Sequence, residues 1–432
     1  MRKRLLITRL ANAARTRNLI ALTTGAMMVK ATFEAVPTRA SYDVVIVGGA
    51  IMGSSTAWFL SDNPDFNGSV LVVERDPSYE WCSTAHSNSC MRQQFSTGLN
   101  IRVSQFAADF VNNLRGNMGG DERIPDLAIQ SFGYLYLADT NGFADTLRSN
   151  QKIQQAAGVA TQLMTPDQIL EAYPFYNVDD VVLGSINKVN EGYWDGATVF
   201  DWWKRQARER GVEYVANEVV AMTRSANRID SVTLKTGEII TCGQVVNASG
   251  PRAAATAAMA GVTLPVEPRK RYSYIFKAEQ PLDRVLPLTI DPSGVHMREI
   301  GGGTYLAGGH PGDDPAVAFD DFTMDHGFWL NHVWPIIATR IPAFEAVKVQ
   351  SEWAGHYAFN TFDQNAIIGP HPEVPNFLLL NGFSGHGLQQ SPAMGRGMAE
   401  VLTYGEFRSL DLGPFSYDRI TRSDPIPETA II

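Results

Sequence analysis

With 432 residues the chain is too long for a single core, so it fits two domains or one interleaved pair. Apolar residues at 44% and charged residues at 19% belong to an ordinary globular protein and exclude disordered and fibrous classes. A net charge of −9 argues against a nucleic-acid partner, and three cysteines without CxxC or CxH spacing argue against a zinc site or a disulfide framework.

The first 40 residues differ from the rest. Arg2, Lys3, Arg4, Arg9, Arg15, Arg17 and Lys30 all precede the first acid, Glu34. An arginine-rich, acid-poor start fits a mitochondrial presequence, and equally a disordered extension or an upstream start codon in a bacterial gene. The compartment expected is the mitochondrial matrix in a eukaryote and the cytoplasm in a bacterium. Leu19–Val29 is an apolar run of 11 residues, short of the roughly 20 needed to span a bilayer. No later stretch is apolar enough to do so.

Val44–Val47 reads as a buried parallel strand ending in glycines, and Ser54–Leu60 as a helix. "SVLVVERD" is a second buried strand ending in Glu74, which completes one βαβ unit. "SFGYLYLAD" (131–139) alternates like a half-exposed strand. "ATVFDWWKRQARERG" places Val199, Trp202, Trp203 and Ala207 on one helical face, with Gly211 as the stop. "EYVANEVVAMTR", "RIDSVTLKTG" and "EIITCGQVVNASG" predict three strands of a meander, with "KTGE" at a hairpin tip. "KRYSYIFKA" and "GGGTYLAGG" belong to a second, mainly antiparallel sheet. "PNFLLLNGFSGHGLQQSPAMGRGMAEVL" gives a buried strand, a turn carrying Gly382, Gly385 and Gly387, and a helix opening near Ser391–Pro392. The ending "SDPIPETAII" reads as a surface arm.

Gly48, Ala50 and Gly53 occupy the G-x-G-x-x-G positions, with Gly49 and Met52 between them. The first glycine permits a tight turn, the second lets a phosphate approach, and the third lets helix and strand pack closely. The helix N-terminus offers free amides and partial positive charge to a pyrophosphate. Ala50 adds one methyl group at the closest approach, which shifts the phosphates without excluding them. Glu74 lies 21 residues beyond Gly53, where a carboxylate accepts hydrogen bonds from ribose hydroxyls. Its neighbour Arg75 leaves room for a 2′-phosphate. The meander returning through "VVNASG" favours FAD over a nicotinamide dinucleotide, and the late glycine turn brings backbone amides toward a flavin ring. An NAD-binding reductase is the bland alternative.

"DVVIVGGAIMGSS", "STAHSNSCMRQQFS", "EGYWDGATV", "VVNASGPRA", "WAGHYAFNTFDQNAIIGPHP" and "LNGFSGHGLQQSPAMGRGMAEVL" together resemble the D-amino-acid-oxidase/sarcosine-oxidase family of FAD enzymes, across roughly residues 42–415. "YAFNTFDQN", "GFSGHGLQQ" and "DLGPFSYDR" resemble a mitochondrial branch associated with assembly of respiratory complex I, and its bacterial relatives. The resemblance implies a glutathione-reductase-type α/β FAD-binding Rossmann domain with an inserted, mainly antiparallel β-sheet substrate domain. Residues 41–115, 195–262 and 356–412 would form the first and residues 116–194 and 263–355 the second. Residues 1–40 are left as an extension and 413–432 as a tail.

The same resemblance implies flavin contacts at Gly48, Gly53, Glu74, Val219, Asn247, Gly250, Gly385, His386 and Gly387, with Leu388 beside them. It implies that Arg92 grips a substrate carboxylate, a role suited to a bidentate guanidinium. Gln389 stands where sarcosine oxidases carry a second carboxylate-binding lysine, which weakens the case for sarcosine itself within a sarcosine-, dimethylglycine- or D-amino-acid-like substrate class. Leu306 or Ala307 stands at the oxygen-activating lysine, which favours a dehydrogenase with another acceptor over an oxidase. His356 aligns with the cysteine that tethers flavin covalently, so FAD is expected to be noncovalent. Tyr357, with Trp353, Tyr272 and Tyr274, is a candidate aromatic wall, and Arg298 a candidate neighbour of the same cavity. The implied reaction is oxidation of the C–N bond of a secondary or tertiary amino acid by hydride transfer to flavin N5. The competing expectation is a flavoprotein that binds respiratory-complex subunits, with FAD largely structural.

Overall fold

The run Val44–Val47 is apolar at consecutive positions, so both of its faces need cover. In the computed structural model, which describes residues 33–429, it sits inside a parallel sheet. The strand Ser41–Val47 lies between Ile239–Asn247 and Val70–Glu74, parallel to both. Glu213–Ala216 extends the sheet beyond Val70–Glu74, and Val374–Asn381 extends it beyond Ile239–Asn247, both in parallel. Ile367–His371 closes the far edge as an antiparallel hairpin partner. The helices Ile51–Asp62 and Gly387–Tyr404 pack on one another, joined where Ser55 Oγ donates to the Ser391 carbonyl at 2.7 Å. On the face of Gly196–Glu209 that carries Trp202 and Trp203, all four expected residues are buried, and Gly211 takes a left-handed φ of 93° just past its end.

A second sheet holds eight strands in the order Val347–Asn360, Val266–Ala278, Thr304–Gly309, His296–Gly301, Leu288–Ile290, Tyr134–Ala138, Leu183–Asn187 and Gln162–Met164. Its pairs are antiparallel except Leu288–Ile290 with Tyr134–Ala138. Its core gathers Tyr272, Tyr274, Phe276, Tyr305, Trp329 and Phe344, separate from the two apolar clusters on either side of the parallel sheet.

Several expectations change here. "EYVANEVVAMTR" is two strands, because Asn217 and Glu218 divert the chain: Glu213–Ala216 joins the parallel sheet and Val219–Ser225 the meander. Tyr134–Ala138 is buried on both faces, since helix Asn141–Ala156 covers the side expected to meet solvent. The late helix opens at Gly387 with His386 as its cap, which leaves Pro392 inside it. The strand Val347–Asn360 runs through the expected boundary at 355/356 and stays paired with Val266–Ala278 to its end.

Most of the basic leader lies outside the described residues. Residues 33–40 do not form a detached extension: Glu34 bridges to Val215, Phe33 packs 5.4 Å from Tyr214, and Thr38 binds the Glu213 carboxylate. The C-terminal segment is no surface arm either. Glu428 is buried and accepts hydrogen bonds from Ser96 N and Oγ, Thr97 Oγ1 and Asn100 Nδ2. Asp363 and Arg419 form a buried, doubly hydrogen-bonded ion pair, and Ile426 N donates to the same carboxylate.

Breaking one partner of such a pair leaves an uncompensated charge, a loss of about 3–5 kcal/mol. Asp363→Ala is therefore expected to lower the denaturant midpoint by that equivalent, measured by tryptophan fluorescence during urea unfolding. A midpoint within experimental scatter of the parent would remove the pair from the stabilising framework.

Candidate active site

The parallel strands all end along one edge, where open α/β sheets bind ligands. A single cleft runs there from Val47 and Glu74, past Asn217 and Ala248, to the turn at Ser384–Gln389. Gly48 makes the first turn with φ of 100°, and a Cβ on it would lie 2.6 Å from the Ala248 carbonyl oxygen. A Cβ on Gly53 would lie 1.9 Å from the Gly48 oxygen, so helix and strand meet only because both residues lack one. Ala50 has φ of −68° and caps the helix, a backbone any residue adopts, which is why a methyl group is accepted there.

Glu74 is nearly enclosed. Its Oε2 accepts from Gly49 N and its Oε1 from Asp76 N, each at 2.8 Å. Burial pushes its carboxyl above the usual carboxylate range against those two bonds. Met52, Arg75, Val219 and Gly250 line the same end of the cleft.

At the other end Gly385 takes φ of 92°, and a Cβ on it would lie 2.4 Å from the Tyr357 ring. His386, Gly387, Leu388 and Gln389 line the cleft as the helix starts, so its N-terminal amides point toward it. Arg92 is buried beside them. Its Nη2 donates to His386 Nε2 at 2.7 Å, its Nη1 to the Gln94 carbonyl at 2.6 Å, and its guanidinium sits 4.1 Å from the Phe95 ring centre. Gln389 Oε1 accepts from Arg92 N at 2.8 Å. Burial, then the Arg92 charge, holds His386 well below the usual histidine range, so it is neutral and accepts.

Glu191 fixes the Arg92 strand from behind, accepting from Gln93 N at 2.6 Å, Gln94 N at 3.0 Å and Gln94 Nε2 at 2.9 Å. Burial raises its carboxyl to about 7. His356 also lines the cleft, with Nε2 donating to the Asp321 carbonyl at 2.8 Å and its ring stacked 4.2 Å from Phe322.

Not every expected residue reaches the cavity. Asn247 lies behind it, with Nδ2 donating to the Ala253 carbonyl and Oδ1 accepting from Ser249. Gly49, Gly53 and Gly382 shape the backbone without lining it. Tyr272 and Tyr274 face the core of the second sheet, Trp353 packs in a small apolar cluster, and only Tyr357 of the expected aromatic wall lines the cleft. Arg298 stands one layer back, donating to the Asn88 carbonyl. Leu306 and Ala307 are buried in mid-sheet.

Arg271, Ser273, His296, His86 and Asn88 line the cavity and were missed. Strand alternation held the signal: in "KRYSYIF", once Tyr272 and Tyr274 point into the core, Arg271 and Ser273 must point away from it.

The family described as "FAD dependent oxidoreductase" matches residues 43–401. The chain belongs to that family. It is 38% identical over 430 residues to "FAD-dependent oxidoreductase domain-containing protein 1" of Xenopus laevis, covering 92% of this chain and 85% of that one. It is 24% identical to the mitochondrial sarcosine dehydrogenase of Homo sapiens, over 85% of this chain and 40% of that one. Among solved structures, L-proline dehydrogenase from P. horikoshii superposes with a TM-score of 0.76 and 27% identity, covering 91% of this chain and all of that one.

As an FAD-dependent oxidoreductase the chain presents a fitting cleft. The turn at Gly48 stands against a helix N-terminus, Glu74 is positioned by two amides, and a second helix N-terminus opens at the far end. Gly48→Ala is expected to reduce retained flavin sharply, read as the 450 to 280 nm absorbance ratio after purification. A parental ratio would show that this turn does not hold the cofactor.

Burial pushes His86 and His296 down to about 4. An unfolded chain protonates them near 6.5, so their contribution is fully present above that value and lost as pH falls from 6.5 toward 4. His296→Asn is expected to flatten the fall in urea midpoint between about pH 7.5 and 5. An unaltered slope would show that His296 titrates normally.

Proposed function

We propose that the protein oxidises the C–N bond of a secondary or tertiary amino acid, using noncovalent FAD and passing electrons to an acceptor other than oxygen. The observation that carries the reading is Arg92 with His386 at the N-terminus of the Gly387–Tyr404 helix, on the cleft that also holds the Gly48 turn. When bound, FAD supplies the two-electron acceptor for the amine.

The chain's own residues bind, orient and hold charge. Glu74 would accept from ribose hydroxyls and the amides after Ala50 would meet the pyrophosphate. Amides opening the Gly387 helix favour negative charge at the flavin end. Arg92 would take the substrate carboxylate, and neutral His386 keeps the guanidinium aimed without adding a competing charge. His356, whose ring stacks on Phe322 and whose Nε2 is already donating, suits a wall of the cavity better than a covalent tether. No lysine stands among the described residues lining the cleft, which supports a dehydrogenase.

A second reading is that the protein serves mainly in assembly of respiratory complex I, with FAD structural. The commitment of Arg92 to Gln94 and His386 favours it. Under either reading the compartment is the mitochondrial matrix in a eukaryote and the cytoplasm in a bacterium. Among the described residues no helix is long and apolar enough to cross a membrane.

Anaerobic addition of secondary and tertiary amino acids is expected to bleach the flavin band. In Arg92→Ala the apparent Kd should rise about tenfold to a hundredfold, the loss of a charge-assisted pair, with flavin content retained. Unaltered affinity would remove Arg92 from recognition. A flavin that no amine bleaches, in a protein that co-purifies with respiratory subunits, would favour assembly.

A further inference from the structure

Arg92 is not the only guanidinium on the substrate-domain side of the cavity. Arg271, on the Val266–Ala278 strand, lines it with the Tyr357 ring 4.4 Å away, and Tyr357 in turn packs on the Gly385 turn. Ser273 and His296 line the same wall. Two buried atoms there, Arg271 Nε and His296 Nδ1, have no hydrogen-bond partner among the described residues. Buried donors and acceptors of this kind are normally satisfied, so unpaired ones in a cavity wall point to a ligand.

Arg271 is not without a counter-ion. Asp314 meets it fork to fork, at 2.6 Å from Nη1 and 3.0 Å from Nη2. Asp314 comes from the connection between Gly309 and His326, and holds a left-handed φ of 35°, uncommon for a residue with a side chain. The same connection lies along the cavity wall. Phe319 lines the cavity beneath the Arg252 guanidinium, 3.8 Å from its ring centre, and Phe322 stacks on His356. Lys270 grips it from outside, with Nζ 2.7 Å from Asp321 and 3.0 Å from the Thr323 carbonyl.

An internal carboxylate thus occupies a bidentate position on a cavity-lining arginine. A ligand carboxylate arriving there would leave Arg271 paired and return Asp314 to water, so no buried charge is left bare at either end of the exchange. Removing a partner without replacement is what makes buried pairs expensive to break. Replacement avoids that cost.

From this we infer that Arg271 is a second carboxylate subsite, that Asp314 is its resident stand-in, and that the preferred substrate is an amine bearing two acid groups. The inference rests on the amine-oxidising reading: Arg92 takes the carboxylate next to the reacting carbon and Arg271 the distal one. Arrival of the distal acid frees Asp314 and loosens residues 310–325 from the wall.

Sarcosine and iminodiacetate differ by one carboxylate, which makes them the probes for the flavin-loaded protein under anaerobic conditions. The parent should bind iminodiacetate at least about tenfold more tightly than sarcosine, and Arg271→Gln should collapse that ratio toward one. Asp314→Asn, which weakens the resident competitor, should raise the ratio, and it carries the test if Arg271→Gln fails to fold. A ratio near one in the parent, or one that neither variant moves, overturns the subsite.

Limited proteolysis supplies a readout that needs no turnover. Glutarate, unlike acetate, should speed cleavage within residues 310–325 of the parent, and Asp314→Asn should be cleaved rapidly without it. If no amine bleaches the flavin, the oxidation reading fails, and glutarate-dependent cleavage alone then decides the subsite. Cleavage indifferent to glutarate in that case ends it.

Discussion

The approach of the Gly48 carbonyl to Gly53 sets where everything else can stand. With a Cβ position at Gly53 only 1.9 Å from that oxygen, the helix Ile51–Asp62 must begin within one turn of the strand Ser41–Val47. That start aims its N-terminal amides along the sheet edge. The parallel neighbours then bring their own ends to the same line: Glu74 from one side, Ala248–Gly250 from the other. A helix displaced by even a methyl's width would turn its dipole away from the cleft and leave Glu74 without the Gly49 amide that orients it. The tolerance at Ala50 follows from the same geometry. Its backbone is ordinary, so the restriction falls on the residues before and after it.

The second helix N-terminus depends on a different device, a buried polar network. Asn100 donates to Asn365 and Glu428 and accepts from Gln390. Gln390 belongs to the helix whose first turn also carries Gln389, the acceptor for Arg92 N. Glu428 lies at the far end of the chain, yet it fastens Ser96 and Thr97, one residue beyond the Phe95 ring that covers the Arg92 guanidinium. Networks of this kind are costly when half-satisfied and specifying when complete. Here the ion pair Asp363–Arg419 and the strap around Ile426 close it from outside. The start of the late helix is thus held by this network on one side and by its packing on the Ile51–Asp62 helix on the other.

That contrast explains what the sequence could and could not disclose. Apolar runs and glycine spacing are local, so the βαβ unit, the Glu74 position and the late glycine turn were legible from residues 42–75 and 380–402 alone. The convergence of Arg92 with His386 was reachable through resemblance, since nothing in their spacing brings residues 294 apart together. The strap escapes a reading of the sequence because Pro425, Pro427 and a lone Glu428 look like a solvated tail, whereas donors from the distant segment Ser96–Asn100 make that carboxylate a buried one. Asn247 was placed in the cavity by analogy, whereas its amide is spent tying Ala253 and Ser249 behind the strand end. Tyr134–Ala138 misled for the opposite reason. Its alternation suggested one exposed face, while the Tyr134 and Tyr136 rings are large enough to be core.

Charge in the cleft follows a consistent rule. Four histidines line it, His86, His296, His356 and His386, and burial depresses all four. Each sits near a cation or another histidine: His86 beside His356, His356 near Lys270, His296 near Arg271 and Arg298, and His386 on Arg92. Protonating any of them would place a second positive charge against the first in a poorly solvated space. The positive charge of the cleft therefore resides on guanidinium groups, which stay ionised at any physiological pH. A site built that way keeps a constant attraction for carboxylates while its imidazoles serve as acceptors and walls. On the Arg92 side the carboxylates are engaged by the protein's own donors, Glu191 by the amides of Gln93 and Gln94 and Glu428 by Ser96, Thr97 and Asn100.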